Sequence, residues 1–228
     1  MRFASRLALS AATLAVGLLA QSAAQATALT QPVFPAPFSD TALSGTTNAA
    51  RPELAGTVLE DVLIPFSFSG VSGTVQNRVV KETSTGTLDF YWKVNVDASS
   101  TGTGIGALRL IDFGAANLTD GDYRIDGLGT VAPNTARVFN STSYPTGAIN
   151  FLFDNTITAG SSSRFFFLHT DATSYAKTAQ YDMLTGGSQQ LSGTFSTFAP
   201  AVPEPSSYAL TLVGMLTVGA LVRRRKAA

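Results

Sequence analysis

His169 is the single histidine of a 228-residue chain that contains no cysteine. Imidazole titrates near neutrality and acts as a general base when a carboxylate orients it. Asp171 is the nearest carboxylate in sequence, and Phe165-Phe166-Phe167-Leu168 leads into the histidine. No serine sits in a nucleophile-elbow pattern, and the many serines fall in loop-like stretches. A catalytic zinc centre draws several His, Cys or carboxylate ligands together, so one histidine and no thiol argue against it. His169 is expected to end a strand and to hydrogen-bond locally.

A second group is acidic. Asp120-Gly121-Asp122-Tyr123-Arg124-Ile125-Asp126-Gly127 sets carboxylates at alternating positions, an oxygen-rich pattern that suits Ca²⁺. Asp120, Asp122 and Asp126 are the candidate ligands. The EF-hand register fails, because Ile125 stands at the turn glycine and Val131 at the bidentate glutamate. Arg124 adds a positive charge among them. The expectation is a polar turn joining two strands, with no metal and no cofactor. Paired carboxylates can also hydrolyse glycosides, but the separation that matters is spatial. Tyr91, Tyr123, Tyr144, Tyr175 and Tyr181 can stack on sugar rings where exposed, and aromatics equally favour ordinary strand packing.

The elements that position these groups read as β. From Thr87 to Asp97 the chain alternates strictly: Leu88, Phe90, Trp92, Val94 and Val96 take one face. Asp89, Tyr91, Lys93, Asn95 and Asp97 take the other, a period of two that no helix shares. Further strands are expected at Val58 to Phe68, Asn77 to Glu82, Gly106 to Phe113, Tyr123 to Leu128, Thr135 to Phe139, Ala148 to Phe153, Arg164 to His169 and Gln190 to Phe198. Turn dipeptides separate them, among them Ser69-Gly70, Thr85-Gly86, Asp120-Gly121, Pro133-Asn134, Thr146-Gly147, Gly160-Ser161 and Gly186-Gly187. Phe165 to Leu168 lacks alternation, so that strand is expected to be buried on both faces. This spacing without long amphipathic helices predicts an all-β, antiparallel β-sandwich, jelly-roll-like. Residues 27–52, rich in Pro, Ala, Ser and Thr, read as an irregular arm pinned by Phe34 and Phe38.

Both chain ends carry addresses. Arg2 and Arg6 precede the apolar stretch Leu7 to Ala20, and Ala24-Gln25-Ala26 supplies the small-x-small pattern of a signal peptidase site. Cleavage is expected after Ala26, with Ala28 as the alternative. Near the other end, Val202-Pro203-Glu204-Pro205 leads into an uncharged apolar run, Ser206 to Val222, and then Arg223-Arg224-Arg225-Lys226. Seventeen helical residues span about 26 Å, close to the hydrocarbon core of a bilayer. The basic cluster stays cytoplasmic and stops translocation.

This tail resembles the PEP-CTERM sorting signal of Gram-negative bacteria. The resemblance implies that exosortase, an integral membrane enzyme, cleaves near Pro203-Glu204-Pro205 and that the host makes exopolysaccharide. A sortase signal has the same three-part logic but needs an LPxTG-type motif that is missing. Thr87 to Trp92, Phe167 to Tyr175 and Phe198 to Pro200 also look like ectodomains often fused to such tails, which implies a shared β fold and no chemistry. In a bacterial protein the acceptor matches Asn117-Leu118-Thr119 and Asn140-Ser141-Thr142 are expected to be chance.

Composition bounds the rest. The whole chain carries 15 basic and 15 acidic residues. Between Thr27 and Val202 nine Lys and Arg face fourteen Asp and Glu, a net charge near −5. Nucleic acid and anionic membrane surfaces call for basic patches instead. The organisation expected is a signal peptide (1–26), an arm (27–52), an ectodomain (53–198) and a sorting signal (199–228). The role expected is a non-enzymatic surface or matrix protein associated with exopolysaccharide, transiently anchored in the inner membrane. A carbohydrate-binding module, a polysaccharide hydrolase and a permanently tail-anchored periplasmic protein are the alternatives.

Overall fold

The structure, a computed structural model, describes residues 27–29, 31–33, 35–114, 118–140 and 148–201. Its strands are β1 (Thr27–Ala28), β2 (Phe38–Ala42), β3 (Gly56–Phe68), β4 (Val71–Glu82), β5 (Leu88–Val96) and β6 (Ile105–Ile111). They continue as β7 (Leu118–Tyr123), β8 (Thr135–Phe139), β9 (Ala148–Ile157), β10 (Phe166–Thr170), β11 (Tyr175–Thr185) and β12 (Phe195–Pro200). Two six-stranded antiparallel sheets result, ordered β1-β7-β10-β5-β4-β3 and β12-β11-β6-β9-β8-β2. The expected all-β class is therefore correct. Among the described residues no helix is long and apolar enough to cross a membrane. Residues 1–26, where a signal peptide is expected, and the Ser206 to Val222 run lie outside the described residues.

The alternation in β5 does what its period demands. Leu88, Phe90, Trp92, Val94 and Val96 all enter one core shared by the two sheets. The rings of Phe151 and Phe166, one from each sheet, meet at 4.6 Å. Trp92 Nε1 donates to Thr197 Oγ1 at 2.9 Å, and that hydroxyl donates to Asn77 Oδ1 at 2.8 Å. These two bonds join β5 and β4 of one sheet to β12 of the other, and they satisfy polar groups that would be costly to bury alone. As expected, β10 is buried on both faces. Phe166 and Leu168 belong to the main core, whereas Phe165 and Phe167 pack with Leu54, Val80 and Tyr91 in a second cluster on the sheet's outer side.

Residues 43–55 create that second cluster by crossing the outer face as a strap. At one end Thr46 pairs with the chain at Arg124, through Thr46 N–H to Tyr123 O and Ile125 N–H to Thr46 O, each 2.8 Å. At the other end Thr83 N–H donates to Ala55 O. Pro52, its φ already preset, opens the short 3₁₀ turn Pro52–Leu54, which drops Leu54 into the cluster. Gly45 turns the strap at φ +79°, and a Cβ there would come within 2.5 Å of the Tyr123 ring.

Several expectations are corrected. The arm is not irregular throughout, since Thr27–Ala28 pairs with β7 and Phe38–Ala42 pairs with β8. Phe34 lies outside the described residues. Tyr123 to Leu128 is not a strand; the strand there is Leu118–Tyr123. Asp120-Gly121 is consequently mid-strand rather than a turn. The strand expected at Gln190 to Phe198 starts later, at Phe195, and Tyr175–Thr185 is an additional strand.

Candidate functional site

Pairing register builds the site. Asp89 of β5 stands directly opposite His169 of β10, and His169 stands opposite Asp120 of β7. Directly paired residues share a face, so three polar side chains form a row across three strands. Val80 of β4 is opposite Asp89, which puts Glu82, two residues on, diagonally beside it on that face. His169 Nδ1 lies 2.7 Å from Asp89 Oδ1 and 3.1 Å from Glu82 Oε1. The side chains of Glu82 and Asp89 are completely buried, and that of His169 is 17% exposed.

The remaining bonds around this trio are uneven. Glu82 Oε2 accepts from the hydroxyls of Thr85 and Thr87 in the β4–β5 turn. Glu82 Oε1 and Asp89 Oδ2 accept no hydrogen bond. Burial pushes the Asp89 carboxyl up to about 6, against the hydrogen bond and charge of His169. Burial pulls the imidazole the other way, yet the Asp89 bond and the surrounding carboxylates leave its pKa above the ordinary histidine value. Three ligand-type atoms from these residues lie within 4.8 Å of one another. They can share a proton or hold a cation.

Asp120, the end of the row, is taken by the strap. Arg51 donates to both its carboxylate oxygens at 3.1 Å and to Glu53 Oε1 at 2.8 Å. The guanidinium also lies 5.6 Å from the Phe167 ring centroid. Arg51 is itself buried, so it fills the gap between strap and sheet and closes one side of the trio.

Beyond Tyr91, on the same face, a cleft of about 540 Å³ opens between the strap, β3 and the chain after β7. Leu54, Val80, Tyr91 and Phe165 line its floor, and Gln76, Arg78, Arg124 and Asp126 add polar groups. Arg78 donates to Asp61 at 2.8 Å while its guanidinium lies over the Phe165 ring at 4.7 Å. Arg124 holds Asp126 through two bonds of 2.7 and 2.9 Å.

The candidate Ca²⁺ ligands do not converge. Asp120 binds Arg51, Asp126 binds Arg124 and the Asn48 amide, and Asp122 Oδ1 accepts the amides of Gly45 and Tyr123. His169 bonds across the sheet to a residue 80 positions away, not locally and not to Asp171. Its ring accepts no serine or threonine hydroxyl among the described residues. The buried Glu82–Asp89 pair is closed to a glycosidic bond. Tyr91 and Tyr181 are buried, Tyr123 and Tyr175 are partly exposed, and Tyr144 lies outside the described residues. Asn140 Nδ2 donates to Ala36 O at 2.9 Å, and Asn117 is not described. Ala24, Ala26, Val202, Pro203, Glu204, Pro205, Arg223, Arg224, Arg225 and Lys226 also lie outside the described residues.

Glu82 and Asp89 are the residues that sequence reading missed. Asp89 interrupts an otherwise apolar opening of β5, and that is the only local signal; register supplies the rest. Comparison of the chain with protein-family models, curated proteins and solved structures finds no match.

Proposed function

We propose that this chain is an exported, non-enzymatic cell-surface or matrix protein, released from the inner membrane through its C-terminal sorting signal and associated with exopolysaccharide. The observation that carries the reading is the residue order Pro203-Glu204-Pro205, Ser206 to Val222, Arg223 to Lys226, combined with the leader that ends at Ala26. A basic cluster after an apolar run halts translocation, and a residue flanked by prolines is disfavoured in helix, which suits a motif that a protease reads as an extended segment. Exosortase and signal peptidase are the processing partners in this reading.

The fold is best classed as a β-sandwich of jelly-roll kind. In support, β10 lies between β5 and β7 while β9 lies between β6 and β8, the nested winding of a jelly roll. The outer-face cleft is the part that meets glycan. Its Gln76, Arg78 and Asp126 offer donors and acceptors above an aromatic floor, the mixture that a hydroxyl-rich ligand needs.

Intact mass of the protein recovered from host surface and medium tests the sorting. The expected mass lacks the first ~26 residues and everything beyond Pro203-Glu204-Pro205. A mass that retains Ser206 to Ala228 refutes release and leaves a permanently anchored protein. Co-sedimentation with host exopolysaccharide, wild type against Gln76→Ala/Arg78→Ala, tests the cleft; equal sedimentation of both refutes it.

A further inference from the structure

We propose that Glu82, Asp89 and His169 form a binding site for a divalent transition-metal ion of the Zn²⁺ class, joining β4, β5 and β10. Three observations converge. First, His169 Nδ1 lies 2.7 Å from Asp89 Oδ1 and 3.1 Å from Glu82 Oε1. Tetrahedral zinc with bonds of about 2.0–2.1 Å needs ligand atoms about 3.4 Å apart, so small side-chain adjustments admit the ion. Second, Glu82 Oε1 faces the imidazole nitrogen without accepting a hydrogen bond, and Asp89 Oδ2 accepts none either. Both residues are at least 98% buried. A carboxylate oxygen held away from water without a donor is costly, and a cation removes that cost.

Third, the guanidinium groups on this face are already paired: Arg51 with Asp120 and Glu53, Arg78 with Asp61 and Arg124 with Asp126. Two buried carboxylates beside one imidazolium leave a residual negative charge. Coordination removes it: the ion takes the place of the hydrogen on His169 Nδ1, and the proton leaves to solvent. Two carboxylates, a neutral imidazole and M²⁺ then sum to zero. Ca²⁺ fits poorly, because it takes six to eight oxygens, whereas an imidazole nitrogen suits zinc and its neighbours. Three protein ligands leave a fourth position for water, reached along the exposed edge of His169.

The test uses the full-length chain in detergent, stripped with chelator and titrated with ZnCl₂ by calorimetry. Because the chain has one histidine, its ¹H–¹⁵N imidazole spectrum is a single-residue probe. Expected are one Zn²⁺ per chain, a large shift of the Nδ1 resonance, and affinity at least tenfold weaker in Glu82→Gln. Asp97→Asn, at an exposed position away from the trio and the cleft, should bind as wild type. The proposal is overturned by no stoichiometric uptake, by an imidazole resonance that does not move at saturation, or by Asp97→Asn abolishing binding. Glu82→Gln folded by circular dichroism yet binding equally well also overturns it. Should that variant not fold, the wild-type imidazole resonance decides alone.

Discussion

Arg51→Met isolates what the strap contributes. Arg51 is 5% exposed, and its guanidinium meets both oxygens of Asp120, whose side chain is only 13% exposed. The substitution keeps most of the side-chain volume but strands the Asp120 carboxylate beside His169, across the row from Asp89. Breaking a buried pair from one side costs roughly 3–5 kcal/mol. The residual exposure of Asp120 places the expected loss near the lower end, about 3 kcal/mol. For a domain of this size that lowers Tm by roughly 6–12 °C. Trp92 is the only tryptophan and is 1% exposed in the shared core, so its fluorescence during urea unfolding reports the loss directly. Arg51→Met/Asp120→Leu removes both charges and should recover at least half of it, because an apolar replacement of a buried pair is nearly neutral. A single variant within ~0.5 kcal/mol of wild type, or a double variant no better than the single, refutes the reasoning.

Trp92→Ala should cost roughly 3–5 kcal/mol and sharply reduce recovery of folded protein; a folded, abundant product shown by circular dichroism would mean that Trp92 is not core. Asp126 titrates below its ordinary value: burial raises it, but the Arg124 and Asn48 amide bonds outweigh this. Its contribution is thus present above pH 3.8 and lost as pH falls through the folded value. Asp126→Asn should then cost ~0.5–1 kcal/mol at pH 7, kept small by solvent screening, and converge on wild type near pH 2 in urea melts. Gly45→Ala should destabilise by more than ~1 kcal/mol, since it combines a positive φ with the Tyr123 clash; an unchanged Tm would show that the strap adjusts freely.

How much of this was legible depended on whether the signal was local. The alternation of β5 and the two-sided burial of β10 are local, and both were readable. β11 was not, because Asp182 breaks its apolar character; in the fold Asp182 is buried against Arg109 at 2.5 and 2.6 Å. Asp120-Gly121 reads as a turn by composition, but Arg51 neutralises the aspartate. The missing Cβ of Gly121 also lets Leu29 and Leu168 approach to about 3 Å of that position. His169 stood out as the lone imidazole. Its partners did not, because Glu82 and Asp89 reach it only through the β4–β5–β10 register.

The nested winding also sets an order of events in time. β10 is the central strand that completes the β5–β7 seam, and β9 likewise separates β6 from β8. Each arrives from the latter part of the chain. β1 must wait as well, since Thr27 pairs with Gly121. A chain emerging from its N-terminus therefore cannot join β6 to β8 until Ile157 has cleared the exit, nor β5 to β7 until Thr170 has. Long-range pairing of this kind is slow. Until then β5 and β7 present unpaired edges, the state most open to mispairing with another chain. Delay is built into the topology, and a strand order of this kind leaves residues 27–201 unclosed until most of their length has been made.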